Sequence, residues 1–183
     1  MSECEPVCTP IEVNAKFQKN SEDRNKNIPH REAVGYLIYL AHVTRPDITY
    51  AVNKLSQYYN SPGNQHWLSI KRIMRYLQGT RNLNLCYVKD DSKEINGYCD
   101  ADWLSDPVDR RSCAGYTFLF QNACLSWNSC KQQTVALSTV EAEYMAMAAA
   151  SQEALWLRQC AGRARSRWGQ RTLSQRNVTT KVK

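Results

Sequence analysis

The chain has 183 residues, 43% of them hydrophobic, and a formal net charge of +7. That length allows one domain, or one domain with an appended piece, and supplies enough apolar residues for a buried core. No run approaches the length of a membrane helix, and residues 1–6 lack the basic start and apolar stretch of a signal peptide, so the eight cysteines are expected as free thiols in a cytosolic or nuclear setting.

The positive charge is concentrated at one end. Residues 161–183 carry seven basic residues and no acid, which leaves 17 basic against 17 acidic residues in the preceding 160. A neutral body with a basic, aperiodic tail predicts disorder over 161–183. At the other end, residues 1–30 are polar, with Pro6, Pro10 and Pro29 and a charged run at 21–26, and read as an irregular linker without chemistry. Cys4 and Cys8 have no Cys/His partner pair at zinc spacing.

From Arg31 the pattern becomes helical, with Val34, Leu37, Ile38 and Ala41 at helical spacing and the pre-proline Arg45 ending the segment. Pro46 and Asp47 suit the first turn of a second helix, with Ile48, Val52, Leu55 and Tyr59 as its buried face. Ser61-Pro62-Gly63-Asn64 is a turn. A third helix follows from His66 to Gln78, with Trp67, Ile70, Met74 and Leu77 on one stripe and Gly79 as its stop. Its other face presents Lys71, Arg72 and Arg75, either as a solvated face or as a surface that follows a nucleic-acid backbone through phosphate contacts.

At Leu83 the period changes. Leu83, Leu85 and Tyr87 alternate as in a strand, residues 89–93 form a turn, and a second strand runs from Ile95 into Asp100 and Asp102. Two further strands, 112–120 and 123–128, are joined by a tight turn at Gln121-Asn122. Ser138-Thr139-Val140-Glu141 has the form of a capping box before a helix reaching Cys160, with Val140, Tyr144, Met147, Ser151 and Leu155 as its inner face.

Within this layout Asp100 and Asp102 stand at i and i+2, on one face of a continuous strand. Two adjacent acids repel each other, whereas a divalent cation such as Mg²⁺, which takes hard oxygen ligands, would neutralise them. A second acidic element, Glu141 and Glu143, opens the long helix. The capping box accounts for Glu141 and leaves Glu143 as the acid with a chemical role.

Several motifs resemble, in order, the polyprotein of copia-type long-terminal-repeat retrotransposons. Arg31-Glu32-Ala33-Val34-Gly35-Tyr36, Thr44-Arg45-Pro46-Asp47-Ile48 and Arg75-Tyr76-Leu77-Gln78-Gly79-Thr80 resemble the end of its reverse transcriptase and the connection that follows. Gly97-Tyr98-Cys99-Asp100-Ala101-Asp102-Trp103, Arg111-Ser112-Cys113-Ala114-Gly115-Tyr116, Leu125-Ser126-Trp127-Asn128 and Glu141-Ala142-Glu143-Tyr144 resemble the first half of its RNase H domain. The resemblance implies an α/β (α+β) chain: a helical connection segment over 31–82, then a truncated RNase H-like fold over 83–160, with a small, mainly antiparallel sheet and one long helix. It implies Asp100 and Glu143 as catalytic positions that help hold two Mg²⁺ ions for cleavage of the RNA strand of an RNA–DNA hybrid, with Asp102 beside them.

The family's third aspartate and its later helices have no counterpart here, since the last acid is Glu153 and the last histidine His66. Two Mg²⁺ ions need more carboxylates than Asp100, Glu143 and Asp102 supply, so the expected fragment is inactive and its metal site incomplete. The alternatives are a non-catalytic nucleic-acid-binding module, built on Lys71, Arg72, Arg75 and the basic tail, and a protein-interaction (effector-like) module. No membrane contact is expected. Without a fourth strand, the Asp100 strand would keep an open edge and the chain would self-associate.

Overall fold

A computed structural model describes residues 4–12, 15, 17, 28–88, 94–106, 109–168 and 178–182. It divides into two compact units, Met1–Asn84 and Leu85–Lys183. The 21–26 charged run and the 89–93 turn lie outside the described residues.

The first unit is helical. α1 (His30–Val43) is followed by a 3₁₀ turn at Pro46–Ile48, α2 (Thr49–Ser56) and α3 (Asn64–Gly79). Pro46 stands where its missing N–H costs nothing, and Thr80 rather than Gly79 forms the C-terminal cap of α3. Val34, Leu37 and Ala41 of α1 meet Ile48, Val52, Leu55, Ile70 and Ile73 in one core, with Trp67, Met74 and Leu77 packed at its edge. Tyr59, expected inside, is exposed, and Tyr58 is buried in its place. The physical reason is that α2 stops at Ser56, so the turn that follows no longer keeps the helical period. The described N-terminal residues form neither helix nor strand but are no idle linker, because Phe17 is buried in the core with Ile11 and Ala15 against it.

The second unit is a sheet under one helix. β1 (Ile95–Asp102), β2 (Cys113–Phe120) and β3 (Ala123–Lys131) form an antiparallel meander. Gln121 and Asn122 both adopt positive φ, 49° and 63°, the twist a two-residue hairpin requires. α4 (Thr139–Trp168) follows, and β4 (Val178–Val182) pairs parallel with β1 over Ile95–Cys99. The sheet order is β3-β2-β1-β4.

Four expectations are corrected here. The long helix does not end at Cys160 but runs to Trp168, and 178–182 is a strand, so these parts of the 161–183 tail are ordered. Thr179, Thr180 and Val182 supply the β-branched residues that a short strand favours. The β1 edge expected to be open, and to drive self-association, is therefore paired over Ile95–Cys99. No strand forms over 83–88, because both edges of β1 are taken; Tyr87 instead donates its hydroxyl to the Cys124 carbonyl of β3, at 2.6 Å.

The fourth correction is the rotation of α4. Val140, Tyr144 and Leu155, placed on the inner face by their size, are 61%, 63% and 50% exposed. Ala142, Ala146, Ala150 and Leu157 are buried instead. Alanines four residues apart leave no bulk between helix and sheet, so the helix backbone can lie close over Cys99 and Phe118, with Met147 and Ala154 flanking the contact. Close approach has decided the face, not side-chain size.

Candidate functional site

The acids of β1 and α4 are positioned by the elements just described. β1 is continuous through Asp102, so Asp100 and Asp102 share one face of it. Ile95 and Cys99 pack with Ala150 and Leu157 of α4. Strand alternation therefore puts Asp100 and Asp102 on the face turned away from that helix. Asp100 is exposed, stands opposite Gly115 of β2, and accepts a hydrogen bond from the Ala101 N–H at 3.0 Å.

Glu143 belongs to α4, with its Oε2 buried and unpartnered among the described residues. Its effect reaches Cys99, whose thiol is pushed up by burial and then by the negative charges of Glu143 and Asp100. Glu141 acts as the cap partner expected of it. Its N–H donates to Ser138 Oγ at 3.1 Å and its Oε2 accepts from the Leu137 N–H at 2.6 Å.

Among the described residues, no three His, Cys, Asp or Glu side chains gather closely enough to hold an ion. The charges at the same end of the sheet are bound to one another: Lys131 pairs with Asp106 and Asp109, and Asp109 also meets Arg111.

The basic face of α3 is present but engaged. Arg72 donates to the Thr9 carbonyl (3.2 Å), Thr9 Oγ1 (3.0 Å) and Glu12 Oε1 (3.1 Å), and Arg75 Nε donates to the Glu5 carbonyl at 2.6 Å. Lys71 lies over the Trp67 ring at 5.7 Å.

Sequence reasoning missed a heavily bonded polar cluster in the first unit. Arg45 forks onto Asp47 (Nη2–Oδ2 2.7 Å, Nε–Oδ1 3.0 Å) and reaches Thr80 through its hydroxyl (2.6 Å) and carbonyl (3.2 Å). Tyr76 completes it by donating to Asp47 Oδ2 at 2.8 Å. Burial would raise the Asp47 carboxyl, but the hydrogen bonds from Arg45 and Tyr76 hold it below its ordinary value. A guanidinium on the carbonyl of Thr80, the C-terminal cap of α3, also offsets the negative end of the helix dipole. The signal was legible as two motifs, Thr44-Arg45-Pro46-Asp47 and Arg75-Tyr76-Leu77-Gln78-Gly79-Thr80; what was not legible is that they meet. Together they fasten the helices of the first unit.

No family model matches the chain, and no solved structure matches it. Among curated proteins, "Secreted RxLR effector protein 161" of Plasmopara viticola is 48% identical over 132 residues, covering 72% of this chain and 93% of that protein. "Retrovirus-related Pol polyprotein from transposon TNT 1-94" of Nicotiana tabacum is 39% identical over 165 residues, 86% of this chain but 12% of the polyprotein. "Retrovirus-related Pol polyprotein from transposon RE1" of Arabidopsis thaliana is 40% identical over 158 residues, 86% of this chain and 11% of its own length.

Proposed function

From the premise that the chain belongs to the family of retrovirus-related Pol polyproteins of copia-type transposons, as a fragment of Pol, we propose that it is an RNase H-like piece that binds nucleic acid without cleaving it. A central β1, with an antiparallel neighbour on one side and a parallel one on the other, supports the RNase H-like reading. The observation that supports the loss of cleavage is how few acids gather: among the described residues, no three His, Cys, Asp or Glu side chains come together to hold an ion. Hydrolysis by two metal ions needs both ions held together at the scissile phosphate, and Asp100, Asp102 and Glu143 supply too few carboxylates for two such ions.

Binding falls to α3, which carries Lys71, Arg72 and Arg75 and no acid along its whole length. Cations on one helix face hold phosphates without reading sequence, and the affinity falls with salt as counterions are released. The test is a labelled RNA–DNA hybrid with Mg²⁺. Salt-dependent binding with no cleavage is expected. Metal-dependent cleavage that is abolished by Asp100→Asn or Glu143→Gln would overturn the reading.

A second reading, a protein-interaction module, is favoured by the relative named as a secreted effector and by the outward apolar stripe of Val140, Tyr144 and Leu155 on α4. Under this reading the hybrid binds no more tightly than a mixed polyanion, and substitution of Lys71, Arg72 and Arg75 leaves its affinity unchanged.

A further inference from the structure

The arginines assigned above to phosphate are already occupied by groups that resemble one. Two carbonyl oxygens, a hydroxyl and a carboxylate from residues 5–12 satisfy Arg72 and Arg75, as the oxygens of a nucleic-acid backbone would. The segment is also seated sterically. A Cβ added at Gly79 would lie 2.8 Å from Cβ of Pro6, so the bare end of α3 is what lets the chain pass. Farther along, Ile11 and Ala15 lie on the core, Phe17 is buried in it, and Tyr58 donates its hydroxyl to the Phe17 carbonyl at 3.0 Å.

The two ends of this segment are held differently. Around Phe17 the anchorage is apolar and internal. Over residues 5–12 it is polar except at Ile11, with Glu5, Thr9 and Glu12 themselves exposed. The Glu12–Arg72 pair is 3.1 Å long, with the Glu12 side chain 71% exposed. Such a pair contributes little to stability, so the polar end can be released while Phe17 stays in place.

We propose that residues 5–12 are a strap that imitates a phosphate backbone on α3 and must leave Arg72 and Arg75 before nucleic acid can bind there. The proposal rests on the reading of α3 as a phosphate-binding face, and it adds that this face is autoinhibited. Lys71, which the strap does not bond, would make the first contact, and the two arginines would follow as the strap lifts.

The test uses the full chain and its double variant Thr9→Ala/Glu12→Ala, titrated with an RNA–DNA hybrid over a range of salt. Freeing Arg72 from the Thr9 hydroxyl and the Glu12 carboxylate should tighten binding at low salt by about fivefold and steepen the salt slope by about 0.9. Adding Arg72→Ala/Arg75→Ala to the double variant should abolish both gains. Amide exchange over residues 5–12 of the parent chain should rise when the hybrid is added, a readout that does not depend on any substitution. If Arg72→Ala/Arg75→Ala weakens the parent while the strap variant binds like the parent and exchange does not change, the strap proposal fails and α3 remains a binding face. If no form binds the hybrid, both fall together.

Discussion

His30 and His66 are the residues where burial acts most directly on chemistry. Both side chains are almost fully buried, and neither His30 nitrogen nor His66 Nε2 has a partner among the described residues. His66 stacks on Tyr58 with ring centroids 4.2 Å apart, and its Nδ1 accepts the Gly63 N–H at 2.7 Å, closing the first turn of α3. Desolvation, with the nearby His30 adding to it, lowers His66 from 6.5 to about 4, and desolvation lowers His30 as well. The folded unit therefore binds fewer protons than the unfolded chain below pH 6.5. The stability these residues contribute is complete above that pH and is lost as pH falls towards 4. Asp47, also lowered, adds a loss of the same sign at more acid pH. The urea midpoint of the first unit, followed by amide signals of α1 to α3, should drop between pH 7 and pH 5, and His30→Phe should flatten that drop. An unchanged midpoint in the parent chain would show that the buried imidazoles are not what sets its acid sensitivity.

The decisive feature among the elements is how α4 is turned. Its sequence offers two stripes, one of large residues (Val140, Tyr144, Leu155) and one of alanines (Ala142, Ala146, Ala150), and only the second is buried, with Ala150 packed on Cys99 and Phe118 of the sheet. The sheet is shaped for it: a Cβ on Gly97 would collide with the Phe118 ring, coming within 2.8 Å of Cδ1, so aromatic bulk already fills the space over β1. Ala146→Leu should then cost about 1 to 3 kcal/mol through overpacking, whereas Tyr144→Ala should stay within about 0.5 kcal/mol. Thermal unfolding of the two variants distinguishes the orientations, because a helix seated on its large stripe would reverse the order. The same rotation leaves the large stripe outside, where the protein-interaction reading places its partner.

For the molecule as a whole, the issue is the edge of β1. An unpaired strand edge recruits strands from other chains, and β4 occupies this one over Ile95–Cys99. The full chain should therefore remain monomeric at concentrations where a chain ending at Trp168 self-associates, as measured by light scattering after size exclusion. A monomeric truncated chain would mean that something other than β4 protects the edge. Because β4 comes from the stretch whose basic charge marked it as a solvated tail, the prediction also tests whether that stretch is structural.

Periodicity and local chemistry in the sequence determined the three helices of the first unit, the meander with its turn at Gln121 and Asn122, the cap at Ser138 and Glu141, and the shared face of Asp100 and Asp102. Each depends on near neighbours along the chain, and hydrogen bonding and side-chain spacing over a few residues are written locally. Tertiary structure alone decided which stripe of α4 is inside, that Arg45 reaches Thr80, that Glu12 and Thr9 sit on Arg72, and that 178–182 returns to β1. These are contacts between segments far apart in sequence, selected by how closely two surfaces can approach and by which polar groups would otherwise be buried unpaired. The acids of the candidate site belong to this second kind. Spacing could put two of them on one face of a strand, but only the packing of α4 could bring Glu143 close enough to Cys99 for its charge to act on that thiol.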